Sequence, residues 1–502
     1  MADTPILVAG AGPTGLVLAL SLARRGVPVR IVDRNSGPAQ HSRAMVVHAR
    51  NLEFYRQFGF ADDLVAHGVR MQRVHLREAG HEAASFELGD IGAGLSPFPY
   101  LLCYPQDDHE RLLNAKLRDA GVAVEWNTAL TGLRQDEDGV EVTLERDGQT
   151  EAARAPYVFG ADGAHSAVRH ALGIDFPGGS YDQRFFVADV SIEGSNEDMV
   201  MSLDAHGLAL VLPVRSTGMQ RLIGLVPPEF GGRTDVRFDE IQVRIEALSG
   251  VRVRELHWFS LYHVHHRVAA RFRVGRCFIG GDAGHIHSPV AGQGMNTGIG
   301  DAINLGWKLA DVLRGRADAG ILDSYEPERI GFARSLVATT DRAFTTMIGQ
   351  GLGSTLVRTV LMPHVLPLLT GFSAVRRAMF RTVSQVRIAY TDSALSRGEA
   401  GDVAGGDRLP WVAAVANFDA LRSLDWQVHV YGEPTRDLRM AASELGLALH
   451  EFAWCADAGH AGLARDAAYL VRPDGYVALA DAGQDPAVLR DHARAIGLIA
   501  SA

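Results

Sequence analysis

Residues 6–34 place three glycines, a proline, a threonine and a carboxylate at a spacing that suits phosphate binding. Gly10-Ala11-Gly12-Pro13-Thr14-Gly15 follows the apolar run Ile6-Leu7-Val8-Ala9, and Val29-Arg30-Ile31-Val32 ends on Asp33, with Arg34 next. In a strand–turn–helix unit of this kind, the first glycine permits the tight turn. The second lets the backbone approach a pyrophosphate, and the third lets the helix pack against the strand. The helix N-terminus then turns free N–H groups and the positive end of its dipole toward the phosphates. Asp33 can accept hydrogen bonds from a ribose diol. These residues predict an adenine-dinucleotide site, and this motif alone does not choose between FAD and NAD(P).

Two later turns carry acids on glycine-rich loops. Tyr157-Val158-Phe159-Gly160-Ala161-Asp162-Gly163 reads as a strand and a turn, followed by a helix start at Ser166-Ala167-Val168-Arg169. Arg276-Cys277-Phe278-Ile279-Gly280-Gly281-Asp282-Ala283-Gly284-His285 is a second buried strand ending in an acid. It runs on through Ser288-Pro289 and Gly292-Gln293-Gly294-Met295-Asn296 into a helix through Trp307-Lys308-Leu309-Ala310. Gly349-Gln350-Gly351-Leu352-Gly353 follows no strand and predicts a loop or helix break, not a second dinucleotide unit. Cys103, Cys277 and Cys455 stand 174 and 178 residues apart, so a dithiol reductase is excluded.

The ordered set resembles the group A flavoprotein aromatic monooxygenases, whose hallmarks are the G-x-G-x-x-G, Asp-Gly and Gly-Asp motifs in that order. Ser42-Arg43-Ala44, His48-Ala49-Arg50 with Leu52-Glu53, and Gln106 ahead of Glu110 belong to the same resemblance, which spans roughly residues 5 to 340. It implies FAD as the bound dinucleotide, NADPH or NADH as reductant and O2 as co-substrate. Oxygen transfer to an aromatic ring would pass through a flavin C4a-hydroperoxide. The family implies roles for Asp162 and Gly163 at both cofactors, for Arg43 against FAD and the nicotinamide path, and for Gln106 near the ribityl chain. A surface salt bridge and a helix cap are the competing, less favoured readings of Arg43 and Gln106. Pro289 would border flavin and substrate, or simply stop a loop. Physical reasoning places Asp282, at a strand end, on a ribityl hydroxyl. The N–H groups of Gly292, Gly294, Met295 and Asn296 would lie at the flavin pyrimidine edge, where reduced flavin is negative. Gly284 stands where the family commonly has alanine, a tolerable change at a turn.

The elements that must position these residues follow from periodicity. Parallel strands and helices at 1–70, 105–180 and 270–345 predict a Rossmann-like FAD-binding domain. Strands at Gln183–Val190, Met199–Leu203, Leu208–Val214, Leu222–Val226 and Val253–Val264, joined by 71–104, predict an inserted antiparallel substrate domain. Met201, Leu210, Leu212, Leu225, Phe259 and Tyr262 are its candidate lining residues, with ordinary sheet core the favoured reading of each taken singly. His48 and Tyr262 are candidates for aiding deprotonation of a phenol, with cofactor-side packing the competing reading for His48. His263 and His265 share a strand face, but no carboxylate or cysteine completes a zinc set, so no metal is expected. Residues 346–400 predict a helical connection and 401–408 a linker. Residues 401–502 resemble the thioredoxin-like domain of phenol hydroxylase-type members, here without C-x-x-C. The fold class is thus α/β, α+β overall.

Composition narrows the class further. The 502 residues are 47% hydrophobic and 22% charged, with a net charge of −10, which suits about two to four globular domains. No basic block suggests nucleic acid. The stretch from Leu356 to Phe372 contains Arg358, Pro363, His364 and Pro367, a poor membrane span. A start without a basic leader and three scattered cysteines point to a cytoplasmic protein, a monomer or a homodimer through the C-terminal domain. The reading is an NAD(P)H-dependent FAD monooxygenase of a phenolic or polycyclic aromatic substrate. Its rivals are a Baeyer–Villiger or epoxidising member, an antibiotic-inactivating monooxygenase, a flavin halogenase or dehydrogenase, and a non-catalytic flavin-binding protein.

Overall fold

A computed structural model describes residues 5–499 except 41–43, 79, 195, 205–206, 231–232, 289–291, 349–352, 354–355, 358–360 and 362–364. Arg43, Pro289 and most of the Gly349–Gly353 stretch lie outside the described residues. The first strand, Ile6–Ala9, is fully buried and sits centrally in a six-stranded sheet, parallel to Val29–Val32 on one side and Val158–Gly160 on the other. Cys277–Ile279 adds in parallel beyond Val158–Gly160. Continuous apolar runs form these strands because both faces are buried. Helices Pro13–Arg24 and Gln293–Leu313 pack together, Gly306 of the second meeting Leu18 and Ser21 of the first, while Trp307 turns to Trp426 and Asp474.

The insert, expected to be antiparallel, is an eight-stranded mixed sheet: Met199–Leu203 pairs in parallel with Arg73–Glu78, and the other pairs are antiparallel. Its order runs His285–Ile286, Val253–Val268, Gly178–Ile192, Met219–Leu225, Leu208–Val214, Met199–Leu203, Arg73–Glu78 and His81–Glu87. Alternation along these strands divides their side chains between two faces. Phe186, Ala188, Val190, Val200, Val211 and Leu222 face outward, under the helix Phe238–Ser249. Phe185, Met199, Met201 and Ile223 face inward, toward the rest of the molecule.

The last sheet departs from the expected boundary. Strand Arg397–Ala400 lies inside it, hairpinned to Val403–Ala404 and parallel to Val477–Asp481. Residues 401–408 are therefore a turn and a strand of that sheet, not a linker. The sheet also holds Gln427–Tyr431, Ala448–Phe452 and Ala468–Val471, with helices Arg436–Glu444 and Pro486–Ala495 on one side. Within residues 105–180, the strands Thr128–Gln135, Val140–Arg146 and Gln149–Ala155 make a three-stranded antiparallel meander that periodicity did not suggest.

Candidate active site

Three glycine-bearing turns meet at the ends of adjacent strands. Ala161 N–H donates to the Ala9 carbonyl at 2.7 Å, and Gly280 N–H donates to the Gly160 carbonyl at 3.1 Å, so the motifs sit side by side. Gly10 has φ +101°, a conformation that suits glycine, and a Cβ there would overlap the Ala161 carbonyl. A Cβ on Gly15 would overlap the Gly10 carbonyl. Gly12 differs: a Cβ there would meet nothing within 4 Å. The chain leaves that side open, at the N-cap of a helix whose first turn carries no acid and begins with Pro13. Asp33 braces the loop, accepting from Ala11 N–H at 2.7 Å and Asn35 N–H at 2.8 Å, while Arg34 is exposed. The Thr14 side chain lies against Gly281, where a Cβ would stand 2.6 Å from Oγ1, and so joins the first turn to the third.

The remaining predicted residues divide between ligand-facing and structural positions. Asp162 Oδ2 accepts from Ala167 and Val168 N–H groups at 2.7 and 3.2 Å, starting a short helix there. Its Oδ1 is buried and takes no hydrogen bond. That orphaned acceptor beside Gly163 suits a hydroxyl donor from a bound group. Asp282 is exposed on the turn Gly281–Ala283. Asn296 is fully buried, and its amide is engaged by protein: Nδ2 donates to the Val46 and Gly292 carbonyls, and Oδ1 accepts from His48 N–H and Asn51 Nδ2. Asn296 thereby fixes the start of the helix Gln293–Leu313, leaving the backbone of Gly292, Gly294 and Met295 at its mouth. Gln106 donates to Glu110 Oε1 at 2.8 Å, while Ala39 N–H bonds Glu110 Oε2, and burial pushes the Glu110 carboxyl up. Gln106 opens its helix after Pro105, which holds the cap position.

The inner face of the eight-stranded sheet is apolar yet incompletely covered. Met199, Met201, Leu210, Ile223, Leu225 and Tyr262 are only half-buried, as lining side chains should be. Leu212 is buried among the neighbouring core residues. Phe259 takes the core reading and does not line the inner face: it packs on the outer face against Phe186 and Phe238, because it lies three residues from Tyr262 and a strand reverses faces at every residue. Tyr262 packs against Phe185 with the rings tilted and their centroids 5.7 Å apart, and Phe185 in turn meets Phe344. His48 is fully buried at the start of the helix Ala49–Gln57, consistent with a packing role. His265 pairs with Ser180 Oγ at 2.6 Å, and among the described residues no group of three or more metal-ligating side chains forms. Burial raises the Cys103 and Cys277 thiols to about 12, so neither is a nucleophile at neutral pH.

Several functional neighbours escaped the sequence reading. Asp301 is fully buried; its Oδ2 accepts from Gly281 N–H at 3.0 Å and engages His285 Nε2 at 2.7 Å, while Arg329 donates to Oδ1 at 2.6 Å. Burial pushes Asp301 up, but Arg329 and His285 outweigh it and hold the carboxyl below its usual range. Arg169 donates to the Ala283 and Ala164 carbonyls, tying the Asp162 turn to the Asp282 turn. The signal for Arg169 was its place three residues after Ser166; Asp301 carried none beyond an acid inside an apolar helix.

An open glycine cradle, an orphaned carboxylate oxygen and a bare helix mouth together fit a dinucleotide with a flavin ring. Residues 3–340 match a protein family described as the FAD binding domain. A 6-methylpretetramide 4-monooxygenase of Streptomyces rimosus is 36% identical over 436 residues, covering 84% of this chain and 76% of that protein. The solved structure of the flavin-dependent monooxygenase PieE, in complex with FAD and substrate, superposes with a TM-score of 0.81 at 25% identity, covering 99% and 100% of the two chains. The Diels-Alderase PyrE3 of pyrroindomycin biosynthesis superposes at 0.77 with 29% identity over the whole of both chains.

Proposed function

The chain belongs to the FAD binding domain family and is an FAD-dependent monooxygenase; from that premise we propose that it hydroxylates a phenolic or polycyclic aromatic substrate held between the bound flavin and the inner face of the eight-stranded sheet. One observation supports this reading above others. The three acid- and glycine-bearing turns converge at one edge of the parallel sheet, opposite an apolar inner face whose side chains remain half-exposed. Such a surface suits a flat organic ring better than a charged metabolite.

In this reading Gly10, Gly12, Pro13, Thr14 and Gly15 receive the pyrophosphate, and Asp33 holds that loop and the adenosine ribose, with Arg34 beside it. Asp162 and Asp282 accept from hydroxyls along the ribityl chain, and Gln106 with Glu110 borders the same path. The backbone at Gly292, Gly294 and Met295 meets the pyrimidine edge. The helix dipole there favours the negative charge of the reduced ring. When bound, FAD supplies hydride acceptance from NAD(P)H and activation of O2. The protein orients the ring to be oxidised and keeps the pocket dry through Met201, Leu210, Leu225 and Tyr262.

The test is NADPH and NADH oxidation by the purified FAD-loaded chain, with a panel of phenols, naphthoquinones and polycyclic aromatics. Stimulation with a product heavier by one oxygen atom is expected. A product isomeric with its substrate and formed without NAD(P)H would instead favour a cyclisation chemistry, as the name of the Diels-Alderase relative suggests for that protein.

A further inference from the structure

His287 occupies a position no motif assigns. His285 and Ile286 form a short edge strand of the eight-stranded sheet, pairing with Val268 and Arg267. Alternation puts His285 and His287 on one face, the two rings stacked 6.5 Å apart. His285 uses that face to reach Asp301 on the helix Gln293–Leu313. His287 lies over the first turn of the same helix: a Cβ on Gly294 would be 3.8 Å from its Cε1 and Nε2. This is the turn whose backbone meets the flavin edge in the reading above.

The hydrogen bonds of the ring determine its tautomer. Nδ1 lies 2.8 Å from the Ser288 carbonyl, which can only accept, so Nδ1 carries the hydrogen. Nε2 is then a bare lone pair. It is buried and has no hydrogen-bond partner among the described residues. A buried acceptor without a donor is destabilising, and a ligand donor would recover that loss.

We propose that His287 Nε2 is the acceptor for the substrate's phenolic hydroxyl. This rests on the hydroxylase reading and names the group that orients the ring. The O–H points at Nε2, and its polarisation raises electron density at the ring carbons ortho and para to the oxygen. Where the proton crosses, the O–H bond breaks, the electron pair stays on oxygen as phenolate, and the new N–H makes an imidazolium. Nδ1–H keeps the Ser288 carbonyl throughout. The proton returns to the product oxygen, so no further reactant is consumed. In the free site burial, opposed in part by the Ser288 bond, lowers the imidazole to about 4, so the ring meets the substrate neutral; a phenolate held against Nε2 is the opposite charge that raises it again, and the proton crosses only within that contact. The other charged groups behind this turn are Asp301 and Arg329, which are paired with each other.

The experiment titrates the FAD-loaded chain with 4-nitrophenol, whose phenolate is coloured, below the pH at which the free phenol ionises. The wild type should bind it with an increased phenolate absorbance. His287→Phe should lose that increase and bind about tenfold more weakly. His287→Gln, which keeps an acceptor, should recover binding but not ionisation. With any phenol the wild type oxidises, kcat should fall in both variants with the flavin spectrum unchanged. Equal phenolate absorbance and kcat in wild type and His287→Phe would overturn the assignment. A variant with altered FAD affinity and unaltered bound phenol would also overturn it, assigning Nε2 to a flavin N–H instead. If the wild type binds no phenol and no aromatic stimulates NAD(P)H oxidation, the hydroxylase reading fails and the proposal falls with it.

Discussion

Arg472, in the last sheet, reaches across to Glu328 on the long helix before it and holds both carboxylate oxygens at 2.8 and 3.0 Å, with neither side chain more than 1% exposed. Lys308 donates to the same Glu328 at 2.7 Å, and Asp474 takes the other edge of Arg472. A second buried junction lies nearby: Glu53 is bound by Arg408, Arg50 and Ser96. In both, a carboxylate of the first 330 residues is neutralised by an arginine beyond residue 400.

Arg472→Met should therefore cost about 3–5 kcal/mol, because it leaves two buried carboxylates, Glu328 and Asp474, with Lys308 alone to balance them. The double variant Arg472→Met with Glu328→Leu should recover part of that loss. Urea unfolding followed by tryptophan fluorescence measures both, and an exposed-pair value below about 1 kcal/mol for the single variant would refute the account.

Acid should unfold the protein through these groups. Burial raises Glu328, yet Arg472 and Lys308 together pull it far below the carboxylate range, and Glu53 and Asp301 are likewise held low by arginines against their burial. A depressed folded pKa contributes stability that is complete above the unfolded value, near about 4.4, and is lost as pH falls through the folded one. Thermal unfolding midpoints should thus hold from neutrality to about pH 5 and drop steeply below pH 4.

Gly12 and Gly10 should respond oppositely to alanine. Gly12 lies at φ −72° with open space around it, so Gly12→Ala should leave the apo fold as stable as before or about 0.4–1 kcal/mol more so. It should weaken FAD by roughly 5- to 150-fold, the equivalent of about 1–3 kcal/mol of overpacking. Gly10→Ala should destabilise the apo chain itself by at least about 1–3 kcal/mol. Differential scanning fluorimetry with flavin titration separates the two.

Asp301→Asn removes charge behind the Gly281 turn without touching any ligand. It leaves Arg329 buried without its anion, so the turn should loosen and FAD affinity fall by at least about tenfold. Flavin fluorescence on dilution of the holoenzyme would read it; retention equal to wild type would count against the brace.

Inner and outer sheet faces give a final pair. Met201→Trp should block the pocket, abolishing aromatic-stimulated NAD(P)H oxidation with FAD still bound. Phe259→Ala should lower stability by about 3 kcal/mol through the outer core and leave KM for the aromatic unchanged.

Local patterns carried most of what was legible in the sequence. The Gly10–Asp33 unit, the Asp162 and Asp282 turns and the strand positions in 183–264 depend on neighbours within a few residues, and the structure places them as such. Face parity is what separates Phe259, in the outer core, from Tyr262 on the inner face, and a list of apolar residues ignores it. The Asp301–Arg329 and Arg472–Glu328 pairs could not be read, since their partners lie 28 and 144 residues apart. The short strands at 397–404 were hidden by glycine and aspartate composition that resembles a linker.

The ties from Arg408 and Arg472 back to Glu53 and Glu328 also bear on synthesis. A nascent chain paused after its dinucleotide unit would bury two carboxylates with their arginine partners still untranslated, an arrangement the energetics of buried charge disfavour. The flavin domain should thus stay loosely closed until residue 472 leaves the ribosome, making the last sheet part of the folding schedule of the first.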